Sequence, residues 1–186
     1  MSNRNTQGFG LIAAGALGST PATSGQGKYK IDAGYGTTLF HGGAVASAAG
    51  YIVDGQTTDA PILGVLNGIF YNAATTLKPT FANHYVQVTP ANSEDIDAFV
   101  FDNPQQQYVV ATDDAVAQAG YLETYDMNTS AGSTTTGQSS ATLDIGDTSA
   151  DAASWRLLRS AEDPENDENA AFRSVVVVAN LIELQN

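Results

Sequence analysis

The sequence predicts an all-β fold: a β-barrel or sandwich of short strands with an extended N-terminal arm. Three observations lead there. Apolar residues come in short runs rich in Val, Ile, Tyr and Phe, separated by glycine and polar turns, as in strands. The runs are closely and irregularly spaced, which suits a sandwich or barrel better than alternating strand–helix units. Residues 1–27 differ in texture, being rich in Gly, Ala, Ser, Thr and Asn with scattered apolar residues at Phe9, Leu11, Ile12 and Leu17. Such a segment has too little apolar surface to build its own core, so we expect it to order against a partner. The expected organisation is an arm over 1–27 and a β-domain over 28–186.

Within the body, Tyr29, Ile31 and Ala33 alternate with polar residues, as in a half-buried strand. Thr38 to Phe40 is a short run that ends at the turn His41-Gly42-Gly43. Val45 to Val53 reads as strand, broken at Gly50 and closed by Asp54-Gly55. Ile62 to Tyr71 carries internal Gly64 and Gly68, which point to bulges or a close backbone approach. Pro79 and Pro90 bracket a strand over Phe81 to Thr89. Phe99 to Phe101 and Tyr108 to Ala111 follow on either side of Asp102-Asn103-Pro104. Asp113-Asp114 could cap one short helix, Asp114 to Gln118, stopped by Gly120. Ser130 to Ser140 is a polar hairpin or loop, Trp155 to Leu158 a strand, and Glu162 to Asn169 an acidic loop. The Val-rich run within Ser174 to Leu184 closes the chain as strand, since β-branched residues disfavour helix.

At 186 residues the chain is long enough to bury a core without staples, and it has no cysteine, which removes disulfides and thiolate chemistry. No apolar run nears the roughly 18 residues of a membrane span, and the N-terminus is a poor match to a signal peptide, so it reads as mature sequence. Seven Lys/Arg against 20 Asp/Glu give a net charge of −13, which opposes binding to nucleic acid and to anionic lipid. Before the first acid, Asp32, stand Arg4, Lys28 and Lys30; Lys78, Arg156, Arg159 and Arg173 share the remainder with all 20 acids. Two readings fit: a solvated tail with incidental charges, or a mildly basic arm lying along an acidic neighbour.

Catalytic and metal patterns fail on inspection. Gly34-Tyr35-Gly36 opens a dinucleotide fingerprint, but Leu39 stands where a third glycine is needed and no helix is expected after it. His41-Gly42-Gly43 resembles an oxyanion loop without any Gly-x-Ser-x-Gly turn to serve. Asp147-Thr148-Ser149 matches half an aspartic-protease site and has no second copy. Asp163, Glu165 and Asp167 begin like a calcium loop, yet Glu168 and Ser174 stand where glycine and the bidentate glutamate belong. Asp95-Ile96-Asp97 reads as a turn flank, and His41 and His84 have no partners at ligand spacing. No enzymatic activity, cofactor or metal is expected.

Several blocks, in order, resemble a family of phage virion structural proteins common in marine podoviruses and prophages. They are Lys28 to Ile31 with Ala33 to Gly36 and Phe40 to Gly42; Pro61 to Tyr71 with Lys78 to Phe81; and Ala98 to Pro104 leading into Tyr108 to Asp113. Gly132 to Gly137 with Leu143-Asp144, Trp155 to Arg159 with Asp163 to Asn166, and Ser174 to Leu184 complete the set. The resemblance spans about residues 28–184 and is weakest over the arm. It implies a decoration, or cement, protein made in the host cytoplasm and bound to the outer surface of an icosahedral head. The implied partners are the major capsid protein and sister decoration subunits, an arrangement that allows a homo-oligomer, with neither nucleic acid nor membrane. Arg4, Phe9, Leu11, Ile12, Leu17, Lys28 and Lys30 are the candidate capsid-binding residues. The alternatives are a tail or fibre component that contacts host glycans through exposed aromatics and the Ser/Thr loop, and a bacterial surface or secreted β-domain.

Overall fold

The computed structural model describes residues 3, 5–18, 25–55, 61–88, 90–128, 132–146 and 153–185. Its strands are β1 (Ile12–Ala16), β2 (Gly27–Ile31), β3 (Ala44–Ala48), β4 (Tyr51–Asp54), β5 (Gly64–Asn72), β6 (Pro79–Ala82) and β7 (Ile96–Phe101). They continue with β8 (Gln106–Ala111), β9 (Thr124–Tyr125), β10 (Met127–Asn128), β11 (Thr142–Leu143), β12 (Trp155–Ser160) and β13 (Ser174–Ala179). One antiparallel sheet runs β1-β8-β13-β12-β9, and a second runs β2-β7-β5-β3-β4 with β6 also on β5; β10 and β11 form a ribbon. The fold is all-β with sandwich character, and the sheets do not close into a barrel.

Two hydrophobic clusters fill it. Beneath the first sheet lie Tyr108, Val110, Leu157, Val175 and Val177 around Trp155, whose ring meets Tyr108 edge-on at 5.6 Å. The second sheet curls around its own cluster of Ile31, Val45, Ile52, Leu66, Ile69, Ile96 and Val100. The curl brings its edge strands β2 and β4 within 8 Å, Cα to Cα, although they share no ladder. Val175 to Val178 are all buried, which explains why this run is apolar throughout instead of alternating.

The expected strands recur with local changes. Val45 to Val53 becomes the hairpin β3–β4, turning through Ala49 and Gly50, both at positive φ, as a tight two-residue hairpin requires. The register of β5 against β7 shifts between Leu66 and Gly68, so the bulge expected from the glycines forms there. Thr38 to Phe40 is reduced to a bridge between Leu39 and Tyr85, and the strand expected from Phe81 ends at Ala82. Thr89 lies outside the described residues.

The helix expected over Asp114 to Gln118 does not form; only a 3₁₀ turn, Gln118–Gly120, appears nearby. Five residues are too few to nucleate a helix without tertiary support. Here tertiary contacts favour other geometry: Val116 is buried and its carbonyl accepts from the Arg173 guanidinium at 3.4 Å.

The segment expected as a free arm is, where described, part of the body. β1 pairs antiparallel with β8, and Leu11 joins the first core at 2% exposure. The Gly10 and Leu11 amides donate to the carbonyls of Ala141 (3.2 Å) and Gly42 (2.8 Å). Upstream, the Asn3 amide donates to the carbonyls of Asp167, Ala170 and Ala171 and its oxygen accepts from the Asp167 amide. Where it is described, this segment is held by the chain's own sheet and not by the separate partner expected from the sequence. Leu11→Ala should therefore destabilise the isolated protein by about 2–4 kcal/mol, read as a lower denaturation midpoint, as for other large-to-small core changes. The exposed Ile12→Ser should shift it by about 0.5 kcal/mol or less.

Candidate interaction surface

Of the seven residues expected to bind a capsid, the six that are described do not form one surface. Arg4 lies outside the described residues. Leu11 is buried in the core, while Phe9 is half-buried and its carbonyl accepts from Gln138 Nε2 at 2.7 Å. Ile12 and Leu17 do reach the surface, at 47% and 36% exposure. They sit at either end of β1, whose far edge carries no strand among the described residues. Lys28 and Lys30 belong to the other sheet, and both ammonium groups are spent on one carboxylate, Asp97, at 2.7 and 2.6 Å.

β1 differs from an ordinary edge strand in what protects it. Its sequence, Ile-Ala-Ala-Gly-Ala, holds no charge and no proline, the usual guards against strand addition. The register shift between Ala13 and Gly15 is the one such device present. No charged residue occurs between Arg4 and Lys28, so this edge is a neutral strip on a protein of net charge −13.

The outward face of the second sheet is the other exposed feature. Residues opposed across a ladder share a face. Lys28 opposes Phe99, Lys30 opposes Asp97, and Phe70 opposes both Asp97 and Phe81. The result is an ion triad beside three phenylalanines. Phe81 is 62% exposed, and its ring approaches Phe99 to 6.1 Å between centroids. Gly68 lies beneath, where a methyl group would run into the Phe81 ring. Sequence reasoning did not find this face, because periodicity alone did not distinguish inward from outward aromatics.

A cleft missed by sequence reasoning opens where β2 and β4 approach. Tyr29, Tyr51, Leu63, Pro61, Glu183 and Leu184 contribute to its lining. Glu183 arrives there because Ile62 and Ile182 form a parallel bridge, which sets the chain end beside the β3–β4 hairpin. Its Oε1 accepts from the Ser47 amide at 2.8 Å. The Tyr29 hydroxyl donates to Asp102 (2.7 Å) and that of Tyr51 to Asp95 (3.2 Å). Burial, then the Asp102 hydrogen bond and the charges of Asp102 and Glu183, push the Tyr29 hydroxyl up to about 12.

The histidines fall elsewhere: His41 Nδ1 bonds the Asn67 carbonyl (2.8 Å), and His84 stacks on Phe40. Among the described residues no three His, Asp or Glu side chains are grouped to hold a metal ion. Asp163 and Asp167 accept from the backbone of their own loop instead, from the Glu165 and Asn169 amides.

Asp97 gives this surface a pH dependence. Burial raises its carboxyl, but hydrogen bonds and charge from Lys28 and Lys30 outweigh that and hold it below the ordinary range. A carboxyl depressed in the folded state stabilises above its unfolded pKa, and the increment is lost as pH falls through the folded value. Asp97→Asn should cost about 0.5–1 kcal/mol at pH 7, small because the lysines are half-exposed. The gap from wild type should close on acidification below the usual carboxylate range, measured by denaturation at stepped pH.

Comparison with protein-family models, curated proteins and solved structures yields no match to this chain, which leaves the chemistry of its own surfaces as the guide to function.

Proposed function

We propose that this chain is a structural binding protein that decorates the outside of an icosahedral phage head, reaching the major capsid protein or a sister subunit through the neutral edge of β1. The observation that carries the reading is that edge: unpaired among the described residues, uncharged, and flanked by exposed Ile12 and Leu17. The ordered set of blocks that resembles virion structural proteins supports the phage context. A subunit that reinforces a pressurised shell needs a stable body and adhesive surface, with no chemistry. An edge strand supplies adhesion through main-chain hydrogen bonds, and Ile12 and Leu17 add apolar contact. The acidic body, at −13, keeps unbound subunits apart and away from packaged nucleic acid.

Exposed Phe81 favours a second reading, a tail or fibre part that contacts host glycans through aromatic rings. Copy number separates the two, since decoration requires many copies over the head and a fibre requires few at one vertex.

The test uses the full chain. Ile12→Ser with Leu17→Ser should leave the melting temperature of the free protein nearly unchanged, because both side chains are already exposed. The same pair should weaken binding to intact heads at least tenfold in a cosedimentation assay. Undiminished binding would remove β1 from the mechanism, and failure of the wild-type protein to bind heads at all would remove the reading.

A further inference from the structure

The cleft between β2 and β4 encloses about 600 Å³, within the roughly 300–1,000 Å³ of small-molecule and anchor-residue sites. Its floor is preformed, because Leu63 and Ile52 are 4% and 1% exposed and belong to the core of the second sheet. At its mouth, among the described residues, Leu184 stands 53% exposed. Between floor and rim sit two tyrosine rings and one carboxylate.

We infer that this cleft binds an arginine side chain presented by another protein. Four features select that occupant. First, among the described residues the Glu183 carboxylate accepts from the Ser47 amide, and no lysine or arginine pairs with it. Its carboxylate therefore retains acceptor capacity for an incoming donor. Second, the walls are mainly apolar, with Pro61, Leu63 and Leu184 able to cover a three-methylene stem. Third, Tyr29 and Tyr51 line the cleft beside Glu183, and a planar guanidinium gains from a carboxylate and an aromatic together. Fourth, the protein carries −13, so a cationic ligand is drawn in and an anionic one repelled.

Other ligand classes fit less well. A saccharide needs many hydrogen-bonding groups, and both tyrosine hydroxyls here already donate to aspartates. A metal ion needs several oxygen ligands, and the cleft offers one carboxylate. Burial and then Asp102 account for most of the rise in the Tyr29 hydroxyl, and the Glu183 charge adds to it in the same direction. This inference stands separately from the decoration reading, because it concerns the chemistry of the ligand and not the particle that presents it.

The experiment is a titration of the isotope-labelled full chain, followed by amide NMR. The probes are the peptides acetyl-Leu-Arg-Leu-amide and acetyl-Leu-citrulline-Leu-amide, the second an uncharged near-isostere. The arginine peptide should give saturable shifts at Ser47, Gly50, Tyr51 and Leu184, and the citrulline peptide should bind at least tenfold more weakly. Glu183→Gln keeps an oxygen for the Ser47 amide, so the fold should persist while the arginine peptide falls to the citrulline level. This variant removes one of 20 acids, so a tenfold loss reads local pairing and not net charge. Should Glu183→Gln melt early, Leu184→Ser at the exposed rim replaces it, with at least a fivefold loss expected. Equal binding of the two peptides, no saturable shift at these amides, or shifts produced by N-acetylglucosamine in place of the arginine peptide would each overturn the inference.

Discussion

β3 and β5 face two ways. Ala44 and Val65 point into the core beneath the first sheet, while their neighbours Val45 and Leu66 point into the core enclosed by the second. These strands form the wall that both cores share, so neither core can be assembled without it. Gly64 shows how tightly the wall is set: a methyl group there would overlap the Phe101 carbonyl on β7. Any side chain at that point would push β5 from β7 and loosen both clusters together. This shared wall also explains why the second sheet curls without closing. β5 must bond β7 along one edge and both β3 and β6 along the other, and the curvature leaves β2 and β4 adjacent but unbonded. The cleft is the space at that unfinished seam.

Much of the fold was legible because burial writes itself into local pattern. The valines of β13 read as strand since β-branched residues suit a pleated, buried surface. Gly64 and Gly68 announced irregularity in β5 because glycine in a strand seldom lacks a backbone reason. β1 was illegible for the opposite cause. Ile-Ala-Ala-Gly-Ala has neither alternation nor bulk, and it becomes a strand only because β8, over 90 residues later, offers it a ladder. The segment from Asp114 to Gln118 misled in the same way, since the arginine that engages Val116 lies 57 residues downstream.

The candidate surfaces divide along the same line. Ile12 and Leu17 could be named from the sequence as apolar residues in need of cover, and they are exposed. Leu11 carried the same signal and satisfied it internally, because only the register of β1 decides which way each residue faces. The cleft had no local signature at all. Tyr29, Tyr51 and Glu183 are ordinary in their own segments, and they converge only through the curl of the second sheet and the bridge between Ile62 and Ile182.

Charge then decides how the two surfaces can work. Of the cations among the described residues, Lys28 and Lys30 are tied to Asp97, and Arg173, 2% exposed, is held by Glu168 and stacked over Tyr121 at 5.6 Å. The acids therefore dominate the outside, and two copies of the chain repel at long range. A neutral edge strand allows contact despite this, since backbone hydrogen bonds and apolar burial act at short range and survive screening. The cleft works in the opposite sense: a carboxylate beside aromatic rings gains from low ionic strength and loses as salt rises. Added salt should thus strengthen association through β1 by screening self-repulsion and weaken capture of a cation by the cleft. Opposite salt dependences would mark the two surfaces as separate binding devices on one body.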